Sequence, residues 1–174
     1  MIVLYTGHRG KGKTLTLVKD ALKFKLSGWR VLSNFKTSFS ELITSEEIRK
    51  INKESNIRNV VLLIDEIQIF FDSRRSSQKQ NLEFSNFIQQ IRKRGIILLC
   101  STQHTRTLDL RILIHVDIQA IPKFKKVAKN EYICEVDYID VLSHEEQEEQ
   151  TQRRTIVYDP KPIFGLYDTN NEVY

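Results

Sequence analysis

Cysteine, proline and long apolar runs are all scarce in this chain of 174 residues. Each shortage excludes something. Only two cysteines occur, Cys100 and Cys134, both on apolar segments. With no neighbouring histidine pair they make no metal site, and they read as core thiols of a reducing compartment. The four histidines (His8, His104, His115 and His144) are scattered and suggest no metal either. No apolar run reaches about 18 residues, so no membrane span is expected. The apolar N-terminus runs straight into a glycine-bearing segment, so it reads as a strand and not as a signal peptide. A cytoplasmic protein is therefore expected. Of the three prolines, Pro160 and Pro162 lie near the end and predict an irregular C-terminal segment.

What is present is ordinary for one globular domain: 40% hydrophobic and 28% charged residues. The formal net charge is +5, and the balance is basic enough to be compatible with nucleic acid. A single domain over residues 1–174 is expected, with a core at about 1–121 and a hairpin and tail after it.

Strands are predicted at residues 2–6, 30–33, 60–65 and 96–101, with 2–6 and 96–101 buried and 60–65 a central parallel strand covered on both faces. Helices are predicted at 13–27, with Leu15, Val18, Leu22 and Leu26 facing inward and Gly28 as the stop, and at 82–94, ended by Gly95. Thr44-Ser45-Glu46-Glu47 has the pattern of a capping box opening a short helix. A polar loop is expected over 72–81 and a short helix over 108–113. Residues 114–121 alternate like an edge or half-exposed strand, 122–130 read as a basic turn, and 131–141 as a further strand. Alternating strands and helices predict an α/β fold, with helices flanking a mainly parallel sheet in three layers.

Gly7-His8-Arg9-Gly10-Lys11-Gly12-Lys13-Thr14 has the spacing of a phosphate-binding loop, or Walker A motif. Glycines let backbone N–H groups wrap an anion, and the helix that follows points its positive end at it. Lys13 is placed to reach the outer phosphates of ATP, and the Thr14 hydroxyl to bind Mg²⁺. Val60-Val61-Leu62-Leu63-Ile64-Asp65-Glu66 is an apolar strand ending in acid, the Walker B pattern. Asp65 is expected to hold Mg²⁺ through water, and Glu66 to polarise the attacking water. Gln103, at the tip of the strand over 96–101, is the candidate γ-phosphate sensor.

Arg92, Arg94, Arg106 and Arg111 are candidates for an arginine supplied to a neighbouring subunit, with Arg111 preferred. The loop with Arg74, Arg75 and Lys79 is the candidate grip on a DNA backbone, and the lysines at 123, 125, 126 and 129 read as a solvated hairpin.

These motifs occur in a definite order: the N-terminal phosphate loop, Ser33-Asn34, Ile64-Asp65-Glu66 with Phe70-Phe71 and Arg74, Arg92-Lys93-Arg94-Gly95, Ser101-Thr102-Gln103, and Asp109-Leu110-Arg111. That order resembles the zonula occludens toxin-like ATPases of filamentous phages and, more widely, the HerA/FtsK superfamily with its viral packaging ATPases. The resemblance spans roughly residues 1–121. It implies a RecA-like ASCE core with Glu66 as catalytic base. It also implies a ring, expected to be a hexamer, with an arginine acting in trans and double-stranded DNA threaded without sequence preference. Phage-assembly members usually have a membrane-spanning segment after the ATPase domain, and no such segment is seen here. The expected function is therefore a Mg²⁺-dependent ATPase that translocates DNA, packaging a viral genome in the host cytoplasm with capsid or coat proteins as partners. The alternatives are a morphogenesis ATPase acting on protein subunits and a small-molecule kinase.

Overall fold

Alternation along each strand decides the layering. In β1 (Ile2–Thr6), Ile2 and Leu4 point to one face and Val3 and Tyr5 to the other. All are buried, so both faces need a cover. A computed structural model supplies it, describing residues 1–51, 56–70, 78–108, 110–141 and 152–168, with backbone only for 78–85, 107, 110 and 111.

The remaining strands are β2 (Arg30–Ser33), β3 (Glu41–Leu42), β4 (Val60–Ile64), β5 (Ile97–Thr102), β6 (Ile118–Ala128), β7 (Glu131–Asp140) and β8 (Arg153–Tyr158). They form one eight-stranded sheet in the order β3-β2-β4-β5-β1-β6-β7-β8. The pairings from β3 through β6 are parallel, and β7 and β8 are added antiparallel. The helices are α1 (Lys13–Leu26), α2 (Ser45–Arg49), α3 (Gln78–Lys93), α4 (Leu110–Leu113) and α5 (Lys161–Phe164). One face packs Leu15, Leu17, Val18 and Ala21 of α1 on Val3, Tyr5, Val61, Leu63 and Leu99. The opposite face packs Ile48, Phe87, Ile88, Ile91 and Ile112 on Ile2, Leu4, Leu62, Ile64 and Leu98. The three-layer α/β expectation holds. Cys100 and Cys134 are free, buried and on opposite faces.

Several local expectations also hold. Thr44 and Glu47 make the reciprocal capping box. Gly28 and Gly95 follow their helices at positive φ, 87° and 63°. Others need correction. Leu26 is 80% exposed, and the inward face of α1 runs through Leu17 and Ala21 instead. Beside the last turn of α1, Phe24 meets Trp29 edge-on at 6.1 Å. The polar loop expected at 72–81 is helical from Gln78, and 71–77 lie outside the described residues.

β6 is half-exposed, not an edge strand, and it does not finish at Ile121. It lies between β1 and β7 and runs through the expected basic turn to Ala128. Pro122 is tolerated there because β1 ends at Thr6, so no ladder partner waits for the missing N–H on that side. The solvated hairpin expected of the lysines holds, with Lys125, Lys126 and Lys129 exposed on the antiparallel β6–β7 pair, while Lys123 meets Asp137 at 2.9 Å and Lys125 meets Glu135 at 3.5 Å. The true turn is at Asn130, with φ 63°. The tail expected to be irregular contains β8 and α5, and Ile163 of α5 is buried beside α1.

Candidate functional site

The strand order brings the catalytic motifs to one edge of the sheet. β5 inserts between β1 and β4, with Tyr5 level with Ser101 and Ile64 level with Cys100. The phosphate loop leaving β1, the acidic pair leaving β4 and the polar tip of β5 therefore emerge side by side at the strands' C-terminal ends. Open α/β sheets bind ligands at that edge.

Gly7, Gly10 and Gly12 take φ of 142°, 76° and 89° as the loop turns into α1. Gly12 also lies close to its surroundings. A Cβ there would sit 3.3 Å from the Phe124 Cβ, too near for most contacts, and at a φ that disfavours any side chain. The Phe124 N–H donates to the Lys11 carbonyl at 3.2 Å, so β6 buttresses the loop. His8, Arg9, Gly10 and Lys11 are exposed, and the rings of His8 and His104 meet edge-on at 5.6 Å. Lys13 is buried, its ammonium 3.4 Å from the His8 carbonyl.

The Thr14 hydroxyl donates to Asp65 Oδ2 at 2.9 Å. Ser101 Oγ donates to the other carboxylate oxygen, Oδ1. Burial pushes the Asp65 carboxyl above its ordinary range, and the Ser101 and Thr14 hydrogen bonds oppose that rise. Glu66 adopts left-handed backbone, φ 55° and ψ 58°, uncommon for a non-glycine residue. Its N–H donates to Ser101 Oγ at 3.0 Å. One carboxylate oxygen accepts from Gln103 Nε2 at 2.9 Å and the other from Gln68 Nε2. Strained backbone held by several partners clusters at working sites.

A match across most of the chain settles the family: residues 3–124 match the ATPase family associated with various cellular activities (AAA). The chain belongs to the AAA family. This AAA chain is thus a P-loop ATPase, and its site is the edge just described. No curated protein matches the sequence. Solved structures resemble the fold. The N-terminal domain of zonular occludens toxin from Neisseria meningitidis is similar with a TM-score of 0.66 at 17% identity, over 96% of this chain and 98% of that one. The genome packaging NTPase B204 of Sulfolobus turreted icosahedral virus 2, bound to ATP-gammaS, is similar at 0.60 and 14%, over 88% and 95%. The flagellar accessory protein FlaH of Methanocaldococcus jannaschii is similar at 0.60 and 12%, over 99% and 89%.

The AAA site brings together Lys13, Thr14, Asp65, Glu66 and Gln103. Arg111 is on α4 and Lys79 in the first turn of α3, both described by backbone alone, while Arg74 and Arg75 lie outside the described residues. Arg94 is buried and donates to Gln90 Oε1 at 3.0 Å, so it faces inward. Arg92 and Arg106 are exposed.

Two further residues shape the site. Asn34 Oδ1 accepts from the Asp65 N–H at 2.8 Å, and Asn34 Nδ2 donates back to the Asp65 carbonyl at 3.2 Å. Gln68 holds Glu66 from the opposite side to Gln103. The Ser33-Asn34 pair was visible in sequence, but its role depends on β2 lying beside β4. Among the described residues no helix is long and apolar enough to cross a membrane.

Proposed function

We propose that this ATPase drives DNA translocation, as one subunit of a ring that packages a viral genome. The observation behind its hydrolytic half is the chain of contacts Thr14–Asp65–Ser101–Glu66–Gln103. Its hard oxygen donors fit a Mg²⁺ ion: the Thr14 hydroxyl and a buried carboxylate stand within hydrogen-bond distance at the mouth of an anion-binding loop. Thr14 and Asp65 would hold the ion, which when bound offsets charge on the phosphate oxygens. Lys13 neutralises the outer phosphates from below. Glu66 takes the proton of the attacking water, while Gln103 and Gln68 fix its carboxylate so that one orientation is presented.

DNA as substrate is supported by the basic balance of the chain, by Arg74, Arg75 and Lys79 after the Walker B strand, and by the fold likeness to a packaging NTPase. A phosphodiester track contacted through basic side chains needs no base reading, so double-stranded DNA of any sequence would serve. A hexameric ring in the host cytoplasm, with an arginine acting across the subunit interface and capsid proteins as partners, completes the proposal. The likeness to a zonular occludens toxin domain favours a second reading, a morphogenesis ATPase working on protein subunits. Kinase chemistry is disfavoured by Glu66, which suits activation of water.

The test is ATP hydrolysis measured with no nucleic acid, with single-stranded DNA and with double-stranded DNA, alongside native mass. Stimulation by double-stranded DNA that fades with salt, in an oligomer of about six, is expected. Hydrolysis unmoved by DNA, with no DNA binding at low salt, would sink the DNA reading and leave the protein-directed one.

A further inference from the structure

The catalytic carboxylates fix which way a nucleotide lies. Asp65, Glu66 and Gln103 stand on the β4–β5 side of the phosphate loop, so the terminal phosphate faces that side. A nucleoside extending to the opposite flank would meet β6, β7 and α5.

That flank carries an aromatic corner. Phe124 on β6 and Tyr132 on β7 are stacked, with ring centroids 5.6 Å apart and planes 16° from parallel. Phe164 on α5 stands nearly perpendicular to both, at 6.2 Å and 66° from Phe124 and at 5.7 Å and 82° from Tyr132. The corner is tied to the loop at its base: Phe124 donates its N–H to Lys11, and its Cβ lies against Gly12. Phe124 and Tyr132 are half-buried, and Phe164 is 42% exposed. The Lys126 ammonium lies over the Tyr132 ring at 5.9 Å, which adds a cation beside the rings.

We propose that Phe124, Tyr132 and Phe164 form the platform on which the nucleotide base stacks. This rests on the ATPase reading of the same loop, and it gives the C-terminal segment a part in binding. Partly exposed aromatic rings are costly to leave in water, and a base offers a flat π surface to cover them. Stacking is tolerant of base identity, so the platform binds the nucleoside without choosing sharply among bases. Phe164 reaches the corner only because Ile163 anchors α5 beside α1.

The experiment compares ATP with inorganic tripolyphosphate, which has the phosphates and lacks the nucleoside. Binding of each is measured by calorimetry for the full chain and for Tyr132→Leu, Phe164→Ala and the double variant. Wild type should bind ATP more tightly than tripolyphosphate by on the order of tenfold to a hundredfold, the range of aromatic–base stacking. The double variant should lose most of that margin while tripolyphosphate affinity stays unchanged, which also reports an intact phosphate loop. A margin preserved in the double variant would overturn the platform. So would equal losses for both ligands in Phe164→Ala, whose exposed ring leaves the sheet intact when removed. Failure of wild type to bind either ligand would instead count against the ATPase reading.

Discussion

At the scale of single residues, the site is a set of constraints on two carboxylates. Asp65 is held by Asn34 through its backbone and by Thr14 and Ser101 through its side chain. Glu66 is held by Gln68 and Gln103, on a backbone geometry that few residues adopt without support. A general base contributes about 10²- to 10⁴-fold, so Glu66→Gln should lower kcat by that order. ATP binding should survive, because Gly7–Thr14 is untouched. Steady-state hydrolysis paired with equilibrium binding of a nucleotide analogue checks both halves. Normal turnover in the variant would remove Glu66 from the base role. The residue types at this site were legible in the sequence because the phosphate loop and the acidic strand end have fixed spacings. The contacts among them were not. The Gln103–Glu66 bond exists only because β5 lies beside β4, and Asn34 reaches Asp65 only because β2 lies on the other side.

At the scale of elements, legibility followed hydrophobic pattern. β1, β4 and β5 are each built on an apolar run bounded by turns, so they read plainly. The end of β6 and all of β8 did not, since lysines and arginines there look solvated and prolines look disruptive. Their polarity is organised around Asp137. That carboxylate is 3% exposed and accepts from Arg153, Thr155 and Lys123. Arg153 first, then Thr155 and Lys123, hold its carboxyl far below the usual range. A depressed folded-state value means the stabilisation is full above the unfolded value of about 4 and is lost as pH falls toward the folded value. Asp137→Asn should therefore be less stable than wild type at neutral pH, with the gap closing in acid. Denaturant melts at pH 7, 5, 4 and 3 measure it, on the scale set by that carboxyl value of about 4. A gap independent of pH would place the effect in packing and not in charge.

At the scale of the whole molecule, the site lies at one edge of the sheet, and the proposed ring would complete it with an arginine from next door. Arg111 is the preferred donor. Arg111→Ala should retain nucleotide binding and lose hydrolysis, while Lys13→Ala should lose productive binding. Mixing the two should restore part of the activity, because an interface between them joins an intact loop to an intact arginine. A mixture as inactive as its parents would show that the arginine does not act across subunits.

The sheet order also bears on how the chain acquires its shape during synthesis. β1 is made well before its hydrogen-bonded neighbours β5 and β6, the nearer beginning at Ile97 and the farther at Ile118. Pairing at such sequence separations is slow, since a long loop must close before contacts repay it. β1 thus waits for the chain through β6 before it is flanked on both sides. The phosphate loop, buttressed by Phe124 of β6, is complete only then, so a nucleotide would bind the finished fold.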